Sequence, residues 1–283
     1  MPEPVASEPV GRATGWLAWP LRGWAIWQYA TANDAGIASA AIAFFALLGL
    51  VPALSAIGLV CGWLSGPVEV LKAFGALCRL MPPDTGRFML NQLALALAGG
   101  GRDGAVALVT TLGFGLYGLM NAAQALIDGL NLAYRLPERR SWLRRTAIAS
   151  IMALSSAVAV VVMIAALLLI SRFDAILLPV HRAIAWLTMA GASVLVTWFL
   201  VLIYRYGPAR QPGRPQRALP GAVTAVVLGL AGSAGFALYA AHLANFTATY
   251  GVLASVAPIL LWLQLCGYAV LLGASVNSHL AAG

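Results

Sequence analysis

A row of polar and small residues recurs at helical spacing between positions 110 and 131. Consecutive members are three or four positions apart, so at about 100° per residue they occupy one side of a helix within an arc of roughly 80°. At about 1.5 Å per residue the row extends roughly 30 Å, which is the thickness of the hydrocarbon core of a bilayer. This polar stripe consists of Thr110, Gly113, Tyr117, Asn121, Gln124, Asp128 and Asn131.

Two kinds of chemistry suit the polar stripe. Polar side chains that face lipid lose their hydrogen bonds, so we expect the stripe to face other helices or a water-filled cavity inside a bundle. In the first case its side chains form hydrogen bonds between helices. In the second case they line a path for a polar substrate or a lipid headgroup. Both interpretations stay open at the level of the sequence.

A second polar face lies near the end of the chain. It includes Gln264 and Tyr268, which are four positions apart and therefore about one helical turn apart. We expect one of these side chains to lie opposite Asn121 or Gln124, in the middle of the polar stripe. Together with the stripe's own polar side chains they form a candidate polar pathway.

Four arginines follow the polar stripe. A guanidinium group binds phosphate through two parallel hydrogen bonds, so this cluster is a candidate contact for the headgroups of anionic lipids. The alternative is that the charges only set the orientation of the chain, as basic residues in short cytoplasmic loops do. The four residues are Arg139, Arg140, Arg144 and Arg145.

The sequence offers little for catalysis. His181, His242 and His279 are far apart in sequence, and no pair of potential ligands has the spacing of a metal site. No nucleophile, phosphate-loop or dinucleotide-binding motif is present. We therefore expect a protein without catalytic residues, bound metal or cofactor, and not an enzyme.

The composition indicates that these residues lie in a membrane protein. Hydrophobic residues make up 61% of the chain and charged residues only 9%, whereas soluble domains carry roughly a quarter charged residues. The 17 Lys and Arg exceed the 9 Asp and Glu. Because nearly all the basic residues lie between or beside long apolar stretches, we expect membrane lipids, anionic ones in particular, as partners and exclude nucleic acid.

Six uncharged apolar runs are long enough to cross a bilayer, which takes about 20 helical residues. The sequence therefore predicts an all-α membrane protein with six transmembrane helices. The runs are approximately 36–64, 104–127, 146–170, 184–204, 219–243 and 251–272, the last with a helical extension towards 278.

The remaining segments complete the predicted organisation. Residues 1–35 are expected to be an N-terminal tail and an interfacial helix, because tryptophans alternate there with arginines and polar residues. Two short amphipathic helices are predicted between the first two runs, at 68–80 and 85–97. Residues 36–281 then form a single six-helix transmembrane domain.

The basic residues also predict the orientation. With the N-terminus inside, 11 of the 17 lie on the cytoplasmic side and 6 on the other. The short loops around Arg140 and Arg214 carry nine of them, and short loops decide orientation most strongly. We expect a multi-pass protein of the bacterial inner membrane with cytoplasmic N- and C-termini.

The fifth run carries small residues at every fourth position, which would let another helix approach its backbone closely. We expect this ladder to pack within the bundle along its length, including at Gly229 and Ser233, and the alternative is a contact in a homo-oligomer. The ladder consists of Gly221, Ala225, Gly229, Ser233, Ala237 and Ala241.

Several patches, in their order and spacing, resemble the YihY/virulence factor BrkB family of bacterial inner-membrane proteins, formerly labelled ribonuclease BN. The patches are AIAFFALLGLVPAL at 41–54, AQALIDGLN at 123–131, PERR at 137–140, YRYGP at 204–208, PGA at 220–222, TYGV at 249–252, LLWL at 260–263 and LLGASVN at 271–277. The resemblance extends from about residue 30 to 280.

The resemblance implies six spans with both termini in the cytoplasm. Ser275 stands where members of the family often have Glu, so no charge is implied at that position. The resemblance implies no settled activity, and the ribonuclease label is not transferred to this chain. We expect a transporter or flippase-like protein for an anionic or lipid-linked substrate; the alternative is a structural component of the cell envelope.

Overall fold

The computed structural model describes residues 34–78, 83–98, 104–173, 181–209, 218–242 and 256–282. All the regular structure in these ranges is helical. The helices are α1 (Ala35–Ser65), α2 (Pro67–Cys78), α3 (Pro83–Ala98), α4 (Gly104–Ala133), α5 (Trp142–Phe173), α6 (His181–Tyr206), α7 (Leu219–His242) and α8 (Val256–Ala282).

The described part of each of the six apolar runs lies on one of the long helices, with 243 and 251–255 outside the described residues, and the all-α prediction is confirmed for the part that the structure describes. Within the described residues, α1, α5, α7 and α8 are long and apolar enough to cross a membrane. In α6 the residues whose side chains the structure describes, Ala190–Tyr206, form a shorter apolar segment, and α4 carries the polar stripe. The predicted N-terminal interfacial helix and the loop around Arg214 lie outside the described residues.

Two short helices separate α1 from α4, as the sequence predicted. Pro67 and Pro83 occupy the first positions of α2 and α3, where a missing N–H costs nothing because that group has no partner within the helix. Gly66 joins α1 to α2 with a φ of 86°, which favours glycine over residues with a Cβ. Both helices pack on α1 and form a small separate core of Leu54, Val70, Ala73, Phe74, Cys78, Met89 and Leu93.

Helices α1 and α4 cross with their backbones in contact. A Cβ placed on Gly49 would lie 2.7 Å from the backbone nitrogen of Leu119, and a Cβ on Gly118 would collide with the backbone of Gly49. Small residues on both helices therefore allow the contact, as between transmembrane helices generally. This crossing places the middle of the polar stripe beside the first half of α1.

Helices α7 and α8 approach most closely at the beginning of α7. A Cβ on Gly221 would collide with the carbonyl oxygen of Gly273 and with the amide of Asn277. By contrast, a Cβ on Gly229 would meet nothing within 4 Å. The expectation of close packing along the whole ladder is therefore wrong at Gly229, whereas Ser233 does contact α8, where its hydroxyl accepts the indole N–H of Trp262 at 2.9 Å.

Helix α4 ends in a Schellman-type turn that starts the short connection to α5. The N–H of Leu136 donates to the carbonyl of Asn131 at 2.8 Å, and the N–H of Arg135 donates to the carbonyl of Leu132 at 3.0 Å. Arg135 has a φ of 51°, a left-handed conformation in which glycine is more usual. The connection bonds to the segment after α6 and to the end of α8, and the end of α8 bonds in turn to the start of α7. We call this side of the molecule the Arg140 end.

Candidate functional site

A groove of about 470 Å³ lies between α1 and α4 near the Arg140 end. This volume is in the range of small-molecule sites. The groove receives side chains from α1, α4 and the first turn of α5. Its lining consists of Asp34, Ile37, Ala38, Ala41, Phe45, Asn121, Gln124, Ala125, Asp128, Gly129, Leu132 and Arg145.

The polar stripe divides among three environments. Asn121, Gln124 and Asp128 line the groove. Thr110 and Tyr117 lie on the exposed surface of α4, which differs from the expectation that the whole stripe faces the bundle interior. Asn131 is buried, with 5% of its surface exposed. The reason is that α1 crosses α4 at Gly49 and Gly118, so the two helices enclose only part of the stripe.

The amides in the groove do not connect helices. Asn121 donates its side-chain N–H to the carbonyl of Tyr117 on its own helix at 2.7 Å. Neither Asn121 nor Gln124 forms a hydrogen bond to another helix within the described ranges. Their polar atoms are consequently available to water or a ligand in the groove.

An ion pair closes one end of the groove. Arg145, in the first turn of α5, donates Nη2–H to Oδ2 of Asp128 at 2.6 Å. The Asp128 side chain is 56% exposed and that of Arg145 is 28% exposed. Such a partly exposed pair contributes little to stability, about 0 to 1 kcal/mol, so its position at the groove is of more interest than its strength.

Apart from Asp34, the rest of the groove is apolar. Ile37, Ala41 and Phe45 lie on consecutive turns of α1, and Leu132 lies on α4. Ile37 is 72% exposed and Leu132 is 40% exposed. The groove therefore has polar groups at its centre and end, and large apolar side chains along its outer edge.

A second set of polar side chains lies close by, buried or half-buried. Its members bond to each other and to backbone groups, except that the buried Nη1 of Arg140 has no partner within the described residues. Asn131 donates its side-chain N–H to Oε2 of Glu138 at 2.8 Å and accepts the backbone N–H of Ala209 at 2.7 Å. Glu138 accepts the backbone N–H of Arg140 at 3.0 Å. Arg140 donates to the carbonyl of Gly207 at 2.9 Å. These bonds fasten the end of α4 to the segment that follows α6.

Asn277 extends this arrangement to α7 and α8. Its side-chain oxygen accepts the backbone N–H of Gly221 at 2.8 Å, and its N–H groups donate to the carbonyl of Ala218 at 3.2 Å and to the Tyr134 hydroxyl at 3.4 Å. Nearby, the Tyr204 hydroxyl donates to the carbonyl of Val270 at 2.7 Å. We call the side chains of Asn131, Glu138, Arg140 and Asn277 the polar junction.

The four candidate lipid-binding arginines have different surroundings. Arg139 and Arg144 are exposed, Arg145 pairs with Asp128 at the groove, and Arg140 belongs to the polar junction. Burial lowers the pKa of the Arg140 guanidinium, and the neighbouring Glu138 carboxylate opposes that shift. The cluster is therefore not one uniform phosphate-binding surface.

The structure places the two candidate residues of α8 away from the groove. Tyr268 packs against the larger hydrophobic core, which includes Ile127, Leu130 and Tyr204, and Gln264 is half-buried. Neither residue lines the groove. The wall opposite Asn121 and Gln124 comes from α1 instead of α8. The reason is that α1 packs against both α4 and α8: at Gly267 of α8 an added Cβ would lie 3.5 Å from Ser39.

Sequence reasoning did not single out Glu138, Tyr204, Asn277, Phe45 or Asp34. The first three lie in patches that carry the family resemblance, which was the available signal. Their partners are 7, 66 and 56 positions away in sequence, so no short spacing pattern reveals them. Within the described ranges, no three His, Cys, Asp or Glu side chains are placed to hold a metal ion.

Comparison with known proteins agrees with this architecture of apolar helices. The family model described as "Virulence factor BrkB" matches residues 26–282. The ribonuclease-like protein YfkH of Bacillus subtilis (strain 168) is 27% identical over 269 residues, which are 88% of this chain and 91% of that protein. No solved structure matches the chain significantly.

Shorter matches concern UPF0761 membrane proteins of Xanthomonas. Those of Xanthomonas oryzae pv. oryzae (strain PXO99A) and Xanthomonas campestris pv. campestris (strain B100) are 41% and 40% identical over 83 residues. The matched part is 29% of this chain and spans about a fifth (19%) of the length of these relatives. Since the family model covers nearly the whole chain, the protein belongs to the virulence factor BrkB family of membrane proteins.

Proposed function

We propose that the protein binds the headgroup of an anionic or lipid-linked molecule in the groove and moves that molecule across the inner membrane. The observation that carries this proposal is the mixed lining: Asn121, Gln124 and Asp128 lie on α4, facing Ile37 and Phe45 on α1. A headgroup needs hydrogen-bonding partners when it leaves water, whereas acyl chains need apolar surroundings. The groove supplies both within one site.

The exposed apolar edge supports an amphiphile over a small soluble substrate. Ile37 and Leu132 present large apolar surfaces at the groove. If this edge faces lipid, the acyl chains stay in the bilayer while the headgroup enters the groove. Polar side chains that face a cavity within a membrane protein often mark a substrate path.

The proposal includes a topology of six spans with an N-terminal interfacial helix and both termini in the cytoplasm. It is supported by the basic residues in the short loop around Arg140. Ser141 in this loop is exposed, so a Ser141→Cys variant in a background without other cysteines is suitable for labelling. We expect an impermeant thiol reagent to label it only from the cytoplasmic side; labelling from the periplasm would contradict the topology.

A reconstitution experiment tests the transport step. The purified protein is placed in liposomes that carry a fluorescent phospholipid, and the transfer of that lipid between leaflets is followed by chemical quenching from outside. We expect transfer with the native chain and at least a roughly tenfold loss with the double variant Asn121→Leu and Gln124→Leu, because a drier groove no longer solvates the headgroup. Transfer that equals protein-free liposomes would refute the proposal.

The chain offers a matched control for this experiment. Tyr117 lies on the same stripe but is 57% exposed and does not line the groove. A Tyr117→Leu variant should therefore transfer lipid at the native rate. If Tyr117→Leu and the double variant fail equally, the loss does not come from the groove.

A structural role in the envelope is the second candidate, and the polar junction favours it. The side chain of Asn131 bonds to Glu138 and to the backbone of Ala209, and that of Asn277 bonds to the backbone of Gly221. Such bonds are expected for side chains that only hold a bundle together. Under this function the groove is incidental. The double groove variant should then preserve both thermal stability and the growth of cells under envelope stress.

We also propose that the protein is not an enzyme and that Arg139 and Arg144 contact anionic lipid headgroups. The non-enzymatic role is supported by the wide separation of His181, His242 and His279 in the sequence. Ribonuclease activity that copurified through several columns and disappeared on replacement of one His or Asp would contradict it. The lipid contacts are supported by the exposure of both arginines.

A further inference from the structure

The charged groups that line the groove are two carboxylates and one guanidinium. They belong to Asp34 at the start of α1, Asp128 on α4 and Arg145 on α5. A headgroup with only negative charge meets two carboxylates there, and one with only positive charge meets the guanidinium. We infer that the groove recognises a headgroup that carries a phosphate and a primary ammonium together. This inference rests on the proposed function and replaces its anionic headgroup by a zwitterionic one, which carries an ammonium beside the phosphate.

Arg145 provides the site for the phosphate. Its Nη2 is used by Asp128, but its Nε is buried and has no hydrogen-bond partner within the described residues. A guanidinium offers five N–H donors in a planar fork, and phosphate oxygens accept two of them in parallel. Because Nε is shielded from solvent, a phosphate in the groove reaches it only when the guanidinium turns away from Asp128, which also frees Nη2.

Asp128 provides the site for the ammonium. Its side chain is 56% exposed even though one oxygen is bonded to Arg145, and a carboxylate accepts several hydrogen bonds. Asp34 contributes a second carboxylate from α1 at the same groove. A primary ammonium has three N–H donors for these oxygens, whereas a quaternary ammonium has none. The groove therefore favours a primary amine over its methylated form.

The phosphate and the ammonium of such a headgroup are close together, as are the guanidinium and the carboxylate of the ion pair in the groove. The ammonium and phosphate are separated by a short linker, and Arg145 and Asp128 are in direct contact. Binding replaces one internal ion pair by two pairs with the ligand, so the groove loses no charge compensation. An anionic headgroup would take Arg145 from Asp128 and leave that carboxylate without a counter-charge.

Lipid binding to the detergent-solubilised full chain tests the inference without requiring transport. Native mass spectrometry would compare short-chain phosphatidylethanolamine, phosphatidylcholine and phosphatidylglycerol. We expect phosphatidylethanolamine to bind about tenfold more tightly than the other two, the effect of one charge-assisted contact. Free phosphoethanolamine should bind more weakly than the lipid, because it lacks the chains that contact Ile37 and Phe45.

Two groove variants should change the binding of the two lipids in different ways. Asp128→Asn should weaken phosphatidylethanolamine about tenfold while leaving phosphatidylglycerol unchanged or tighter, because a repelling carboxylate is gone and Arg145 is released. Arg145→Gln should weaken both lipids. Asp34→Asn should also reduce the preference for the amine. The thermal midpoint of Asp128→Asn without lipid shows whether that variant folds. If it does not fold, Asp34→Asn provides the same test.

The results separate this inference from the proposed function. Tighter binding of phosphatidylglycerol, or an equal loss of both lipids in Asp128→Asn and Asp34→Asn, would overturn the inference even if lipid transfer is observed. Preferential binding of phosphatidylethanolamine without any transfer in liposomes would refute the transport step and leave the recognition of the headgroup standing.

Discussion

Asn131 of the polar junction and Asn121 of the groove lie on the same face of α4, yet their side chains are bonded in different ways. Asn131 is buried and bonds to Glu138 and to the backbone of Ala209. Asn121, about three turns earlier, bonds only to its own helix and lines a groove. Side chains of identical chemistry thus form helix contacts at one place and a cavity lining at the other.

This difference shows that a polar stripe in an apolar helix is not one functional unit. Each member takes its role from the helix or loop that faces it. Where backbone groups and a carboxylate approach, as at Asn131, the polar side chain stabilises the bundle. Where α1 presents Ala41 and Phe45 instead, the amides of α4 find no partner on another helix among the described residues. The comparison therefore predicts opposite consequences of mutation in the two regions.

The largest effect is expected from Asn277→Leu in the polar junction. This change removes the acceptor of the Gly221 N–H and a donor to the carbonyl of Ala218, both at a buried site. The unsatisfied Gly221 N–H costs about 1 to 3 kcal/mol, and the lost bond to Ala218 costs about 0.5 to 1.5 kcal/mol because that carbonyl still accepts the N–H of Ala222, so we expect a loss of about 2 to 4 kcal/mol. Thermal unfolding in detergent measures it. A loss of unfolding free energy no larger than that of Asn121→Leu would contradict the expected difference between the polar junction and the groove.

The next effect concerns the backbone contact beside the junction. Gly221→Ala should destabilise by about 1 to 3 kcal/mol, because its Cβ would collide with the backbone of Gly273. Gly229→Ala on the same helix is the matched control. It has free space for a Cβ and removes a helix glycine, so it should be neutral or stabilise by up to about 1 kcal/mol. Equal thermal midpoints for both variants would contradict this packing.

The two bonded arginines give a smaller contrast. Arg140 has 11% of its side chain exposed and bonds to the carbonyl of Gly207, whereas Arg145 is 28% exposed and pairs with a half-exposed Asp128. We expect Arg140→Gln to cost about 1 to 3 kcal/mol and Arg145→Gln less than about 1 kcal/mol. Chemical denaturation in detergent measures both losses of stability. A larger loss for Arg145→Gln than for Arg140→Gln would contradict the prediction, because the ion pair at the groove would then contribute more to stability than the bonds of Arg140.

The smallest effect on stability is expected in the groove itself. The double variant Asn121→Leu and Gln124→Leu should change the unfolding free energy by no more than about 0.5 kcal/mol, because no bond between helices is lost. Lipid transfer should nevertheless fall. A large drop in thermal midpoint would mean that these amides hold helices together, as Asn131 does.

The sequence by itself determined the helices of this protein. Runs without charge must satisfy their backbone groups internally, and a helix does so with bonds four residues apart. The positions of α1, α4, α5 and α7 follow the apolar runs within a few residues. Helical spacing also placed Asn121, Gln124 and Asp128 on one face, because the angle per residue is a local property of the chain.

Only the tertiary structure decided what that face meets. The neighbour of the stripe is α1, because Gly49 and Gly118 allow those two backbones to touch. Asn277 bonds to Gly221 across 56 positions, and Arg140 bonds to Gly207 across 67. Contacts of this kind depend on how whole helices pack, which the spacing within one helix does not specify. For the same reason, Asn131 became part of the junction while Asn121 was left to line the groove.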